Sequence, residues 1–154
     1  MIDVRPFRAD DLLAMLEVRR DSIANVAARD YAPSQITEWA GKSSTSESQL
    51  ERFTKSLTWV AVIDEKIVGY SNLDADGHVD TMFVHSSVLR RGVATALLQA
   101  VEDAALAAGL SRLYSEISFT ARPFFEKNGF RICDGEQVTF DDGSDYGFRM
   151  EKAL

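Results

Sequence analysis

Two arginines and a glycine sit where a strand should give way to a helix. The stretch reads Val79-Asp80-Thr81-Met82-Phe83-Val84-His85-Ser86-Ser87-Val88-Leu89-Arg90-Arg91-Gly92-Val93-Ala94-Thr95-Ala96-Leu97-Leu98. A helix start presents unpaired backbone N–H groups and a partial positive charge, so it binds phosphate without needing any particular side chain. Gly92 lets backbone come close to a ligand, Ala94 stays small for the same reason, and Arg90 and Arg91 add positive charge. The same spacing fits a plain glycine turn with two solvated arginines, and a single-glycine loop does not separate the two. A dinucleotide-binding loop would need Gly-x-Gly-x-x-Gly after the first strand of a parallel sheet, and neither is here.

The elements that must position this loop follow from periodicity. Ile2 to Phe7 alternates as a strand, and Asp10 or Asp11 opens a helix with the stripe Leu12, Leu13, Leu16, Ile23 and Val26. Pro33 starts a short helix through Trp39, and Gly41 to Ser46 looks like a loop. Ser46 is a plausible cap for a third helix, with Gln49 three residues on. Thr58 to Ile63 and Ile67 to Leu73 are strands about the tight turn Asp64-Glu65-Lys66. Asp76-Gly77 then turns the chain into a strand from Val79 to His85. After Gly92 comes a long amphipathic helix ended by Gly109, then a strand from Leu113 to Ser118 and a short helix from Arg122 to Asn128. Strands Phe130 to Phe140 and Tyr146 to Glu151 flank the turn Asp142-Gly143. This order predicts one domain over residues 1–154, a mixed α/β fold with antiparallel hairpins and one strand-helix-strand crossover.

Composition bounds the rest. The 154 residues are 45% hydrophobic and 27% charged, an ordinary globular mix able to bury a core. No apolar run approaches the roughly 20 residues of a membrane span. Met1-Ile2-Asp3-Val4-Arg5 lacks the basic start and apolar run of a secretory signal. The lone Cys133 rules out an intrachain disulfide and suits a reducing cytoplasm. A net charge of −7 disfavours nucleic acid as a partner; it is compatible with a cationic acceptor, or simply with solubility.

The stretch resembles the coenzyme signature of the GNAT superfamily of N-acetyltransferases, Gln/Arg-x-x-Gly-x-Gly/Ala. Leu89-Arg90-Arg91-Gly92-Val93-Ala94 fills it, with Leu89 where Gln or Arg is usual. Met82-Phe83-Val84-His85 matches the strand that in this family pairs with the pantetheine arm. A second block, Ser118-Phe119-Thr120-Ala121-Arg122-Pro123-Phe124-Phe125-Glu126-Lys127-Asn128-Gly129-Phe130, is similar to the family's Asn-x-x-Ala-x-x-x-Tyr-Glu-Lys-x-Gly-Phe element, with Ser118 for Asn and Phe125 for Tyr. The two blocks occur in the expected order, and the resemblance spans nearly the whole chain.

The resemblance implies a largely antiparallel central sheet of about seven strands flanked by helices. It implies acetyl-CoA as co-substrate, held by Met82, Phe83, Val84, Leu89, Arg90, Arg91, Gly92, Val93, Ala94, Thr95, Ser118 and Phe125. No metal is expected. The amine of a small or peptide-like acceptor would attack the thioester directly, helped by positioning and a backbone N–H near Met82. An amine must also lose a proton, and Asp80 is the first candidate base, ahead of His78 and Glu116. Phe125 has no proton to give, so the thiolate would leave as such, its ordinary pKa being about 8.5. Tyr31 and Trp39 could line an acceptor pocket, whereas Trp59 reads better as a core residue. Pairing of two chains through the last strands is a further implication. The rival readings are a non-catalytic acyl-CoA-binding module, which Leu89 and Phe125 mildly favour, and a relative acting on aminoacyl-tRNA, which the negative charge opposes.

Overall fold

The computed structural model describes residues 1–41 and 45–154; the expected loop at Lys42, Ser43 and Ser44 lies outside them. The chain runs through strand β1 (Asp3–Pro6), helices α1 (Leu12–Asn25), α2 (Pro33–Gly41) and α3 (Ser46–Lys55), and strands β2 (Leu57–Ile63), β3 (Lys66–Leu73) and β4 (Val79–Val84). Helix α4 (Val93–Ala107), strand β5 (Arg112–Ser118), helix α5 (Arg122–Lys127) and strands β6 (Arg131–Thr139) and β7 (Asp145–Ala153) complete it. Among the described residues, no helix is long and apolar enough to cross a membrane.

Local chemistry accounts for the joints. Asp64 and Glu65 both take positive φ, 49° and 66°, as a two-residue turn between antiparallel strands requires. The cap of α3 is Thr45, whose hydroxyl oxygen accepts the Ser48 N–H at 3.1 Å; Ser46 is already helical, and Gln49 is buried instead of closing a capping box. Helix α1 buries Leu12, Met15, Val18 and Ile23, while Leu13 is 77% exposed. An apolar stripe does not fix its own centre, and the packing of α1 across β3 and β4 rotates Leu13 outward.

The seven strands form two antiparallel sheets, β1-β2-β3-β4 and β5-β7-β6, in place of one continuous sheet. Among the described residues they touch at one parallel bridge, between His78 and Tyr114. There the Tyr114 N–H donates to Gly77 O at 3.0 Å and the Ser115 hydroxyl donates to Val79 O at 2.6 Å. Gly77 has φ +99°, and a Cβ on it would lie 2.5 Å from Arg112 O, so glycine is what lets the sheets meet. Past this point β4 and β5 part. Helix α4 packs Leu98, Val101 and Ala105 with Leu113, Ile117 and Met150 of the second sheet. Its Val93 and Leu97 pack with Ala61, Ile63 and Val68 of the first. Each such buried side chain contributes about 1.5–3 kcal/mol, so α4 ties the halves together and sets its own start at the gap.

Candidate active site

The gap between β4 and β5 is a cavity of about 530 Å³. Met82, Phe83 and Val84 line it from β4, Leu89, Arg90, Gly92, Val93, Ala94 and Thr95 from the loop and start of α4, and Ser118 and Phe125 from the facing side. Asp80 and Glu116 line it as well. Of the coenzyme-binding and base candidates, Arg91 and His78 are not in the lining; Arg91 is exposed beside the loop.

The loop's geometry suits an anion. Gly92 takes φ +86° and Arg90 φ +61°, an alternation that turns successive N–H groups toward one side. Gly92 caps α4 with backbone alone, no side-chain oxygen accepting from the first turn. The first bond into the helix is Ala96 N–H to Gly92 O at 3.0 Å, which leaves the amides of Val93, Ala94 and Thr95 directed out of the helix end. A Cβ at Gly92 would have only Ile2 Cδ1 near it, at 3.9 Å, so this face of the loop is open to a ligand. The approach to the loop is pinned by Asp21 of α1, a 7% exposed carboxylate that accepts the Ser86 N–H at 2.7 Å and the Ser86 hydroxyl at 3.0 Å. Burial alone would raise its pKa, but these bonds and one from Asn25 hold it below the usual range.

The three candidate bases sit in one ion-pair network. A β-bulge in β4 between Thr81 and Val79, opposite the Asn72–Leu73 step of β3, makes Asp80 the extra residue and turns it toward Asn72 and Arg52. Arg52 of α3 engages both oxygens of Asp80, and the Asn72 amide donates to one of them at 2.9 Å. Burial opposes the charge, yet these donors keep the Asp80 carboxyl below its ordinary pKa. His78 lies between Glu116 Oε1 at 2.7 Å and Asp74 Oδ2 at 3.0 Å. The bond to Glu116 raises His78 to about 9, partly offset by burial and aided by Asp74, and lowers Glu116 in turn. His78 is therefore an imidazolium at neutral pH and cannot accept a proton there. Glu116 Oε2 is less committed, with Arg149 Nε at 3.5 Å. Asp74, His78 and Asp80 bring three possible ligand atoms within 4.8 Å, but Arg52 and Glu116 already serve as counter-charges, so the group reads as an ion-pair network.

Phe125 is 4% exposed and packs edge-on to Phe124 and Phe130, with centroids at 5.2 and 5.0 Å. It forms a floor for the cavity and belongs to the core at the same time. Of the aromatic candidates, Trp39 lines the cavity, Tyr31 stands behind it, 9% exposed, and Trp59 packs in the core of β2. Three participants went unread in the sequence: Tyr146 in the cavity lining, Arg52 on Asp80, and Asp21. Only Asp21 left a signal, a carboxylate three residues after Val18 on the buried side of α1.

Comparison with known proteins agrees with this geometry. An acetyltransferase (GNAT) domain matches residues 27–154. The "uncharacterized N-acetyltransferase YafP" of Escherichia coli K12 is 33% identical over 138 residues, 89% of this chain and 86% of that one. A GCN5-related N-acetyltransferase structure from Rhodopseudomonas palustris superposes with a TM-score of 0.91 at 28% identity, covering 99% of this chain and 95% of that one. The PaiA N-acetyltransferase of Thermoplasma acidophilum, solved with coenzyme A, shares the fold at 22% identity and a TM-score of 0.84, covering 100% and 99%. With a split pair of sheets, an open helix start at the split, and these relatives, the chain belongs to the GNAT family and is an N-acetyltransferase.

Proposed function

We propose that residues 1–154 act as one domain that moves the acetyl group of acetyl-CoA to the primary amine of a small or peptide acceptor, in the reducing cytoplasm that a lone Cys133 suits. The observation that carries the reading is the parting of β4 from β5 directly onto the side-chain-free start of α4. In it the amides of Gly92 to Thr95, with Arg90 and Arg91 nearby, take the coenzyme's pyrophosphate. The free edge of β4 from Met82 to Val84 takes its arm, Ser118 faces that arm from β5, and Phe125 packs beneath it.

In the transfer, the amine nitrogen bonds to the thioester carbon, the carbon–sulfur bond breaks, and the electron pair leaves on sulfur. A β4 backbone N–H near Met82 stabilises the oxyanion. We assign the amine's proton to Glu116, directly or through a water, in preference to Asp80, since Arg52 and Asn72 already occupy the Asp80 oxygens. A carboxylate of lowered pKa is a modest base, so positioning supplies most of the rate. With Phe125 lacking a hydroxyl, the thiolate departs unprotonated.

The test is twofold: calorimetric titration with acetyl-CoA, and amine-dependent thiol release. Heat of binding with competition by free coenzyme, and thiol release that needs both substrates, are expected. Binding without release from any amine would make the protein an acyl-CoA-binding module, and absence of binding would end the coenzyme assignment.

A further inference from the structure

The far end of the cleft restricts what the attacking amine can carry. Beyond Glu116 the lining is Val26 and Ala27 at the end of α1, Trp39 of α2 and Tyr146 of β7. These rings are fixed. Trp39 stands edge-on to Tyr146 with centroids 5.0 Å apart, and Tyr31 backs both at 5.5 and 6.3 Å. The Tyr31 hydroxyl bonds to Tyr146 O and accepts the Phe119 N–H at 2.8 Å, and Phe140 closes the cluster from behind. A wall locked this way needs little reordering to receive an apolar group.

The carboxylates facing this end are paired. Asp80 and Glu116 are those in the lining, with Asp74 behind them; Arg52 holds Asp80, the His78 imidazolium lies between Asp74 and Glu116, and Arg149 is shared by Glu116 and Glu136. The cleft can accept one amine as it loses its proton to Glu116. Among the described residues both carboxylates of the lining are already paired, Asp80 with Arg52 and Glu116 with His78, and a buried cation without a counter-charge is strongly disfavoured.

Resting on the acetyl-transfer reading above, we propose that the acceptor is a monoamine with an uncharged aromatic or apolar body, of the arylalkylamine type, and that Trp39 and Tyr146 grip that body. Ring-on-ring contact at 4.5–7 Å is what this wall offers, and it stabilises an aromatic guest beyond simple area burial. A polyamine or a lysine in a basic peptide would bring extra cations to a lining whose carboxylates, Asp80 and Glu116, are already paired.

The experiment compares 2-phenylethylamine, spermidine and a lysine-rich peptide as acceptors at saturating acetyl-CoA, reading thiol release with the intact chain. The expected kcat/KM for 2-phenylethylamine exceeds that for spermidine by about tenfold or more. Trp39→Ala should raise its KM about tenfold while moving the KM for acetyl-CoA by less than about twofold. Val26→Asp adds the missing carboxylate and should shift preference toward spermidine, a gain that misfolding cannot mimic. Turnover of spermidine or the peptide equal to or above that of 2-phenylethylamine overturns the proposal and leaves acetyl transfer intact. Release with none of these three amines overturns the acceptor proposal, and the acetyl-transfer reading falls with it only if no other amine supports release either.

Discussion

The two ends of the cleft are built on different principles. The loop end is one continuous stretch, Met82 to Thr95, and it offers backbone amides shaped by Gly92 at φ +86°. The opposite end assembles Val26, Trp39, Glu116 and Tyr146 from four elements spread over most of the chain. On the proposed reading a backbone site tolerates side-chain change, so Leu89 at the loop need not remove it. A side-chain site changes with each substitution, and the proposal puts acceptor choice there. Asp21 joins the two: it holds Ser86 at the approach to the loop and precedes Ser22 in the cleft wall.

The sharpest way to break this contrast is Gly92→Glu. It puts a like charge and a strained φ against the pyrophosphate site, and acetyl-CoA affinity by calorimetry should fall by more than about a thousandfold. Retained binding would mean that the loop amides are not the anchor. At the other end, Glu116→Gln should lower kcat by about a hundredfold with the KM for acetyl-CoA nearly unchanged. Asp80→Asn should cost less, since Arg52 makes that carboxylate structural; the reverse order in steady-state kinetics would make Asp80 the base. Asp21→Ala tests the joint. It strands the half-buried Ser86 N–H, and both KM values should rise by about tenfold, whereas a rise in one alone would mean that the ends are independent.

The smallest effect concerns pH. His78 is raised from 6.5 to about 9 by Glu116 and Asp74, so the stability it adds is complete below about pH 6.5 and is lost as pH rises through about 9. Between pH 7 and pH 10 the melting temperature should drop by about 4 °C more in the wild type than in His78→Gln. Equal drops would show that this pairing contributes nothing to the fold.

Much of this was legible before folding was considered. The Asp64-Glu65 turn, the Gly92 helix start and the order of elements each depend on local backbone preference, which neighbouring residues carry by themselves. Leu13 was misplaced because periodicity gives a stripe but not its centre; α1 turns Leu13 outward where it crosses β3 and β4. Thr45 was passed over for Ser46 because both residues can cap and only the chain's path decides. Asp80 was the first candidate base, and its tie to Arg52 was not legible because that partner lies 28 positions earlier and the bulge that turns Asp80 is set by pairing with β3.

Sequence alone therefore determined the order of elements and the open helix start at Gly92, since each rests on short-range chemistry: glycine at positive φ, periodic burial, unpaired first-turn amides; the family was legible in the likeness of two motif blocks. Only the tertiary structure decided that the strands divide into two sheets, that Asp80 is tied to Arg52 while Glu116 faces the cleft, and that Trp39 and Tyr146 meet as one wall. Those contacts join residues far apart in the chain. Their energies depend on distance and burial in three dimensions, which linear order does not encode locally.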